Sequence, residues 1–161
     1  MSEHRVGAAA PPPPADEQAA PPPAADEQAA PPPAADEQSV VAVLVDWYAA
    51  MERHDLAGVA AALTPTFLLI EHDHLMDAAT LLAALGAAAG QGRQTAELSE
   101  FDIVIDGDLA WSTHRNHEVW HPTVGPVVEL EFLETVILRR HGGSWRIERY
   151  HASRVRPAAS P

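Results

Sequence analysis

From Thr95 onward apolar and polar residues alternate with a period of two, and this pattern predicts four long strands over 95–105, 109–120, 127–138 and 144–155. The breaks between them are short: Asp106-Gly107-Asp108, the segment 121–126, and His141-Gly142-Gly143. Strands joined this closely pair as antiparallel hairpins. A meander of such length must bury one of its faces, so other elements have to cover it.

The cover lies upstream. Ser39 can cap a helix in which Val40, Val43, Leu44, Trp47, Tyr48 and Met51 recur at three- and four-residue spacing as far as His54. Asp55 can cap a second, short helix over 56–63, which Thr64-Pro65 would end. A brief buried strand over 67–70 then runs into Glu71-His72-Asp73-His74, and Asp77 caps a third helix over 78–89, with Gly90 as its stop. Three helices followed by a meander predict an α+β domain.

In the closing strand the odd positions Trp145, Ile147, Arg149, His151 and Ser153 share one face. That face starts apolar and ends polar, which suits a sheet that is core at one end and pocket lining at the other. In the strand over 109–120, Ala110, Ser112, His114, Asn116, Glu118 and Trp120 share a face, and Thr113, Arg115 and His117 belong to the other. The small residues of the first set would leave room for a ligand beneath His114 and Asn116, so that face is taken as the pocket side.

The chain divides into a tail, residues 1–38, a domain, 39–156, and a short C-terminal piece, 157–161. In the tail the decamer Ala-Ala-Pro-Pro-Pro-Ala-Ala-Asp-Glu-Gln runs three times from Ala9, with Pro14 replacing an alanine in the first copy. Proline blocks helix and sheet ladders and nothing large and apolar is present, so a disordered spacer with polyproline II stretches is expected. The net charge of −13, with 23 acidic residues against ten arginines, argues against nucleic acid as a partner. The absence of cysteine excludes a disulfide framework and thiolate metal sites. No apolar run resembles a signal peptide or a membrane span, so a cytoplasmic protein without a membrane partner is expected.

The order of these elements resembles the nuclear transport factor 2-like superfamily, in particular its SnoaL-like and ketosteroid isomerase-like branches. The resemblance is carried by 47–58, Leu63-Thr64-Pro65-Thr66-Phe67, Gly107-Asp108-Leu109-Ala110-Trp111, and Gly142-Gly143-Ser144-Trp145-Arg146-Ile147 with His151 and Ser153. It implies a cone-shaped domain, with three N-terminal helices packed on a strongly curved, mostly antiparallel mixed sheet. An apolar pocket would lie between the two layers, and a homodimer would form through the outer sheet face. It also implies that any chemistry is cofactor-free proton transfer on a small, largely apolar molecule, as in isomerases, dehydratases and cyclases. The alternative is a noncatalytic binding or assembly module tethered by the tail.

The resemblance implies a general base at Glu71, and the residues agree, because a carboxylate at the mouth of an apolar pocket has its charged form disfavoured. It departs at two positions: the isomerases' phenolic donor falls at Trp47, with Tyr48 one position round the helix, and their acidic donor falls near Val136, with Glu134 the nearest acid of the same parity. Steroid isomerisation is therefore not expected. His151 and His114 are the further catalytic candidates. Trp47, Tyr48, Met51, Phe67, Asn116, Trp120, Glu134 and Ser153 are the candidate ligand contacts. His72 and His74, two apart, could supply metal nitrogens together with His114 or His151, but no metal is assigned.

Overall fold

Two aspartates turn the chain into helices where the sequence places them. Asp55 accepts a hydrogen bond from the Gly58 N–H at 2.9 Å and starts α2 (Leu56–Ala61), and Asp77 accepts from the Thr80 N–H at 2.8 Å and starts α3 (Ala78–Ala88). The computed structural model describes residues 35–71 and 73–156; the repeat tail up to residue 34 and the C-terminal piece from 157 lie outside the described residues. The first helix, α1 (Ala35–Glu52), begins before the expected cap. The last four residues of the third repeat copy form its first turn, with Asp36 and Glu37 at the end where the helix dipole favours negative charge. Ser39 is inside the helix and donates its hydroxyl back to the Ala35 carbonyl at 2.8 Å.

Six strands follow: β1 (Leu63–Glu71), β2 (His74–Asp77), β3 (Gly92–Asp106), β4 (Leu109–Pro122), β5 (Val128–His141) and β6 (Ser144–Arg154). Their order in the sheet is β2-β1-β6-β5-β4-β3, with β1 parallel to β6 and every other neighbour antiparallel. The domain is thus α+β, three helices with a mixed, mostly antiparallel sheet. Two local expectations change. Thr64-Pro65 does not merely end α2 but already belongs to β1, and the strand expected over 67–70 extends to Glu71 and is followed by a further strand, β2, which pairs His74 with Glu71.

Alternation along the meander is broken twice. On β3 the pairing jumps from Ser99↔Arg115 to Asp102↔Thr113, so Glu100 and Phe101 together oppose His114; Glu100 takes φ 54°. On β6 the pairing jumps from Leu138↔Ile147 to Ile137↔Arg149, leaving Glu148 as the extra residue. Each extra residue bends its strand and reverses the faces beyond it. The second bulge overturns the single-face reading of the closing strand: Trp145, Ile147, Tyr150 and Ala152 are buried, whereas Arg149, His151 and Ser153 are exposed.

The core sits between α1 and the inner sheet face. Val40, Leu44, Trp47 and Met51 of α1 join Ala110, Phe132, Val136, Leu138, Ile147 and Tyr150 in one cluster. Trp47 packs edge-on against Tyr48 at 5.3 Å between ring centroids and lies 5.0 Å from Tyr150, an aromatic group that ties the helix to β6. If the bulge sets the buried face, Tyr150→Ala should lose about 3–5 kcal/mol in urea unfolding and His151→Ala under about 0.5 kcal/mol. Equal losses would restore the uninterrupted alternation.

Candidate functional site

The inner face of β4 carries an unusual load for a core. Ser112, His114 and Asn116 are almost wholly buried there, and Glu134 on the neighbouring β5 is 1% exposed. Register explains their meeting, because His114 pairs directly with Glu134 and Asn116 with Phe132 in the β4–β5 ladder. A buried carboxylate costs several kcal/mol unless its oxygens are occupied. Those of Glu134 are: Tyr48 donates to Oε1 at 3.0 Å, Asn116 Nδ2 donates to the same oxygen at 3.1 Å, and the Tyr150 hydroxyl donates to Oε2. His114 Nε2 lies 3.0 Å from Oε2, close enough for an ion pair although not aligned as a hydrogen bond. The far side of that ring is held by Ser112 Oγ at 3.2 Å from Nδ1 and by Phe101 stacked at 4.9 Å, which the bulge on β3 turns inward.

The cluster extends outward along the same face. Asn116 Nδ2 also donates to the Tyr48 hydroxyl at 2.9 Å and reaches Glu118 Oε2 at 3.5 Å, while Gln94 donates its amide to Glu118 Oε1. Glu118 is therefore the outermost member of a hydrogen-bonded set whose centre is Glu134. Its carboxyl is pushed up to about 7, first by burial and then by the negative charges of Glu134 and Glu71. The Tyr48 and Tyr150 phenols are raised well above the ordinary tyrosine value, chiefly by burial, so both stay protonated.

Above this set lies a cavity of about 160 Å³. Trp47, Tyr48 and Met51 of α1, Leu81 and Leu85 of α3, and Leu69, Phe132, Tyr150 and Ala152 of the sheet give it apolar and aromatic walls. Its polar end is built from Glu71, Gln94, Glu118 and Glu134. The volume is close to the roughly 150 Å³ that accommodates benzene in an engineered apolar cavity.

The sequence candidates divide between this cavity and other places. Glu71, Trp47, Tyr48, Met51 and Glu134 line it. His114 and Asn116 sit beneath it, buried and bonded to Glu134 or close to it. Phe67 backs the wall, its ring 6.4 Å from that of Trp47. Trp120 lies beside Gly92 on the β3–β4 pair, where a Cβ on the glycine would come within 2.6 Å of the indole, and it is not part of the cavity wall. His151 and Ser153 are on the opposite side of the sheet, which corrects their assignment to the pocket: Glu148 shifts the parity by one residue before they are reached. His72 lies outside the described residues, and the His74 side chain is 75% exposed beside Asp73. Among the described residues no three histidine, aspartate or glutamate side chains converge to hold a metal ion.

Sequence reasoning passed over Glu118, Gln94 and Tyr150. Glu118 was on the favoured face of β4 but lacked any local mark of burial. Tyr150 carries a visible signal, since Ile147 and Tyr150 are both large and three apart in a strand whose earlier apolar residues are two apart. Such a slip in period marks a bulge.

Among curated protein sequences none matches this chain. Solved structures with the same fold include a conserved protein from Planctomyces limnophilus, with TM-score 0.71 and 23% identity over 75% of this chain and 98% of that one. A proposed dehydratase of the nuclear transport factor 2-like family from Streptomyces avermitilis superimposes with TM-score 0.67 and 20% identity, over 76% of this chain and 97% of its own. A ketosteroid isomerase-like protein from Erwinia carotovora atroseptica gives TM-score 0.62 and 20% identity, over 74% and 96% respectively. The model of the SnoaL-like domain matches residues 40–157, which takes in every residue of the buried cluster and its cavity, and the chain belongs to the SnoaL-like domain family.

Proposed function

We propose that the cavity binds a small, largely apolar molecule of about one ring and that its chemistry is cofactor-free proton transfer of the isomerase, dehydratase or cyclase type, with Glu118 as the exchanging group. The observation that carries this reading is a carboxyl with its proton equilibrium near 7 at the polar end of an otherwise apolar and aromatic cavity. A group poised near the working pH is present both as base and as acid, which general acid–base catalysis requires. Glu71 lines the same end and contributes charge that helps hold Glu118 there. Tyr48 and Tyr150 are positioning residues in this scheme, because each phenol has a single proton and finds an acceptor within the Glu134 set. A four-ring substrate exceeds the available volume.

Exchange of the α-protons of 2-cyclohexenone into D2O, followed by nuclear magnetic resonance, tests the chemistry. Wild type should accelerate exchange, and Glu118→Gln should slow it by about 10²-fold or more. Binding without any acceleration would favour the noncatalytic module instead.

The raised carboxyl also has a stability signature. Because Glu118 holds its proton more tightly in the folded chain, its contribution is complete below its ordinary value of 4.5 and is lost as pH rises through about 7. Glu118→Gln should therefore stabilise the fold at about pH 8 by roughly 2–3 kcal/mol more than at about pH 5. Urea unfolding at the two pH values checks the difference, and a variant equally affected at both would rule out the raised carboxyl.

The outer face of the sheet supports a second reading, that a second copy of the chain covers it. Val104, Trp111 and Leu133 are 41%, 38% and 46% exposed there, on adjoining strands. Sedimentation velocity should report a dimer at micromolar concentration, and Trp111→Glu should convert it to monomer; a wild-type monomer would exclude the pairing.

A further inference from the structure

Two amides reach the Glu118 carboxyl, and they hold its oxygens unequally. Gln94 of β3 donates from Nε2 to Oε1, whereas Asn116 Nδ2 stands 3.5 Å from Oε2. The Asn116 nitrogen has two protons and lies closer to other acceptors, the Tyr48 hydroxyl at 2.9 Å and Glu134 Oε1 at 3.1 Å. The Gln94 side chain, among the described residues, bonds to Glu118 and to nothing else. Asn116 is thus shared across the whole set, and Gln94 serves Glu118 alone.

Gln94 reaches Glu118 because of strand register. It pairs with Trp120, two residues along from the Ala96↔Glu118 rung, so it is the diagonal neighbour of Glu118 on the cavity face. Its strand is at the edge of the sheet, yet the start of that strand is fastened on two further sides. Arg93 pairs with Glu52 of α1 at 3.2 Å, and the Gln91 carbonyl accepts from the Thr123 N–H at 2.8 Å.

An N–H directed at a carboxyl oxygen favours the ionised form. The two amides therefore oppose burial and the charges of Glu134 and Glu71, all of which hold the proton on Glu118. We propose that Gln94 is the positioning residue of the acid–base centre: its amide holds Oε1 of Glu118 and stabilises the carboxylate, so that this group works as a base as well as an acid. The inference rests on the reading of Glu118 as the exchanging group. The titratable groups facing Glu118 are Glu71 from β1, Glu134 from β5, Tyr48 from α1 and Tyr150 from β6, with His114 of β4 behind Glu134; α3 contributes only leucines to the wall.

Gln94→Met keeps the length of the side chain and removes the N–H. The Glu118 carboxyl carbon can be followed by 13C nuclear magnetic resonance in the full chain, its signal assigned through Glu118→Gln. It should titrate at about 7 in wild type and about one pH unit higher in Gln94→Met. Gln94→Ala, which removes the donor by shortening the side chain, should shift it the same way. Exchange of 2-cyclohexenone should follow in Gln94→Met, about fivefold slower at pH 7 and recovered by about pH 9. Thr95→Val, on the opposite face of the same strand, should leave both midpoints in place, with circular dichroism verifying that each variant folds.

A Glu118 midpoint that stays or falls when the Gln94 amide is removed would overturn the positioning role. So would an equal shift in Thr95→Val, which would trace the effect to a disturbed strand. A wild-type Glu118 that titrates at its ordinary 4.5 would instead defeat the reading on which the inference rests. A midpoint that rises in both Gln94 variants, with no acceleration of exchange by wild type, would uphold the Gln94 bond while the catalytic reading fails.

Discussion

The rest of this structure is arranged around one buried carboxylate. Glu134 lies in the middle of the sheet with almost no exposed surface, and its presence there is tolerable only because three hydrogen-bond donors and a histidine surround it. Those partners come from α1, β4 and β6, so the polar centre joins three separate parts of the chain. A set of this kind specifies geometry more than it adds stability, since any other packing of α1 on the sheet would leave a charge without partners. Burial and then this same charge act on its neighbour, keeping Glu118 protonated to about 7 at the cavity's edge. Core specification and site chemistry are here two effects of one residue.

The bulges are what allow the set to close. Without the extra residue at Glu148, strict alternation would turn the Tyr150 phenol to the outer face and bring His151 inward. Without the two-for-one pairing opposite His114, Phe101 would not stack on that imidazole and the ring would lack its apolar cover. Both devices bend their strands as well, which lets a flat meander wrap a helix. Neither occurs at a glycine, and Glu100 takes a left-handed backbone conformation while its carboxylate accepts a hydrogen bond from Arg115 Nε at 2.8 Å. The strain is supported by the ladder on either side, where register resumes within two residues.

Much of the cavity was visible one strand at a time. The inner face of β4 could be chosen from its small and polar residues, and Glu71 could be placed at a pocket mouth because a short apolar run gives way there to charge. Phe67 and Trp120 were harder, since a large aromatic on the correct face can pack behind a wall or at a strand end as readily as into the space. His151 and Ser153 were misplaced by the parity reversal alone. Glu118 was hidden for another reason: its raised carboxyl depends on burial and on charges from β1 and β5, none of which lies near it in sequence.

Local rules acting within a few residues therefore determined the element types, the two aspartate caps, the hairpin order and the family resemblance. Capping, periodicity and turn length are all short-range quantities. Tertiary structure decided the faces beyond each bulge, the parallel insertion of β1 beside β6, and the identity of the group with a perturbed proton. Those depend on which distant side chains share a buried volume, and burial, unlike period, is not written in any single segment of the chain.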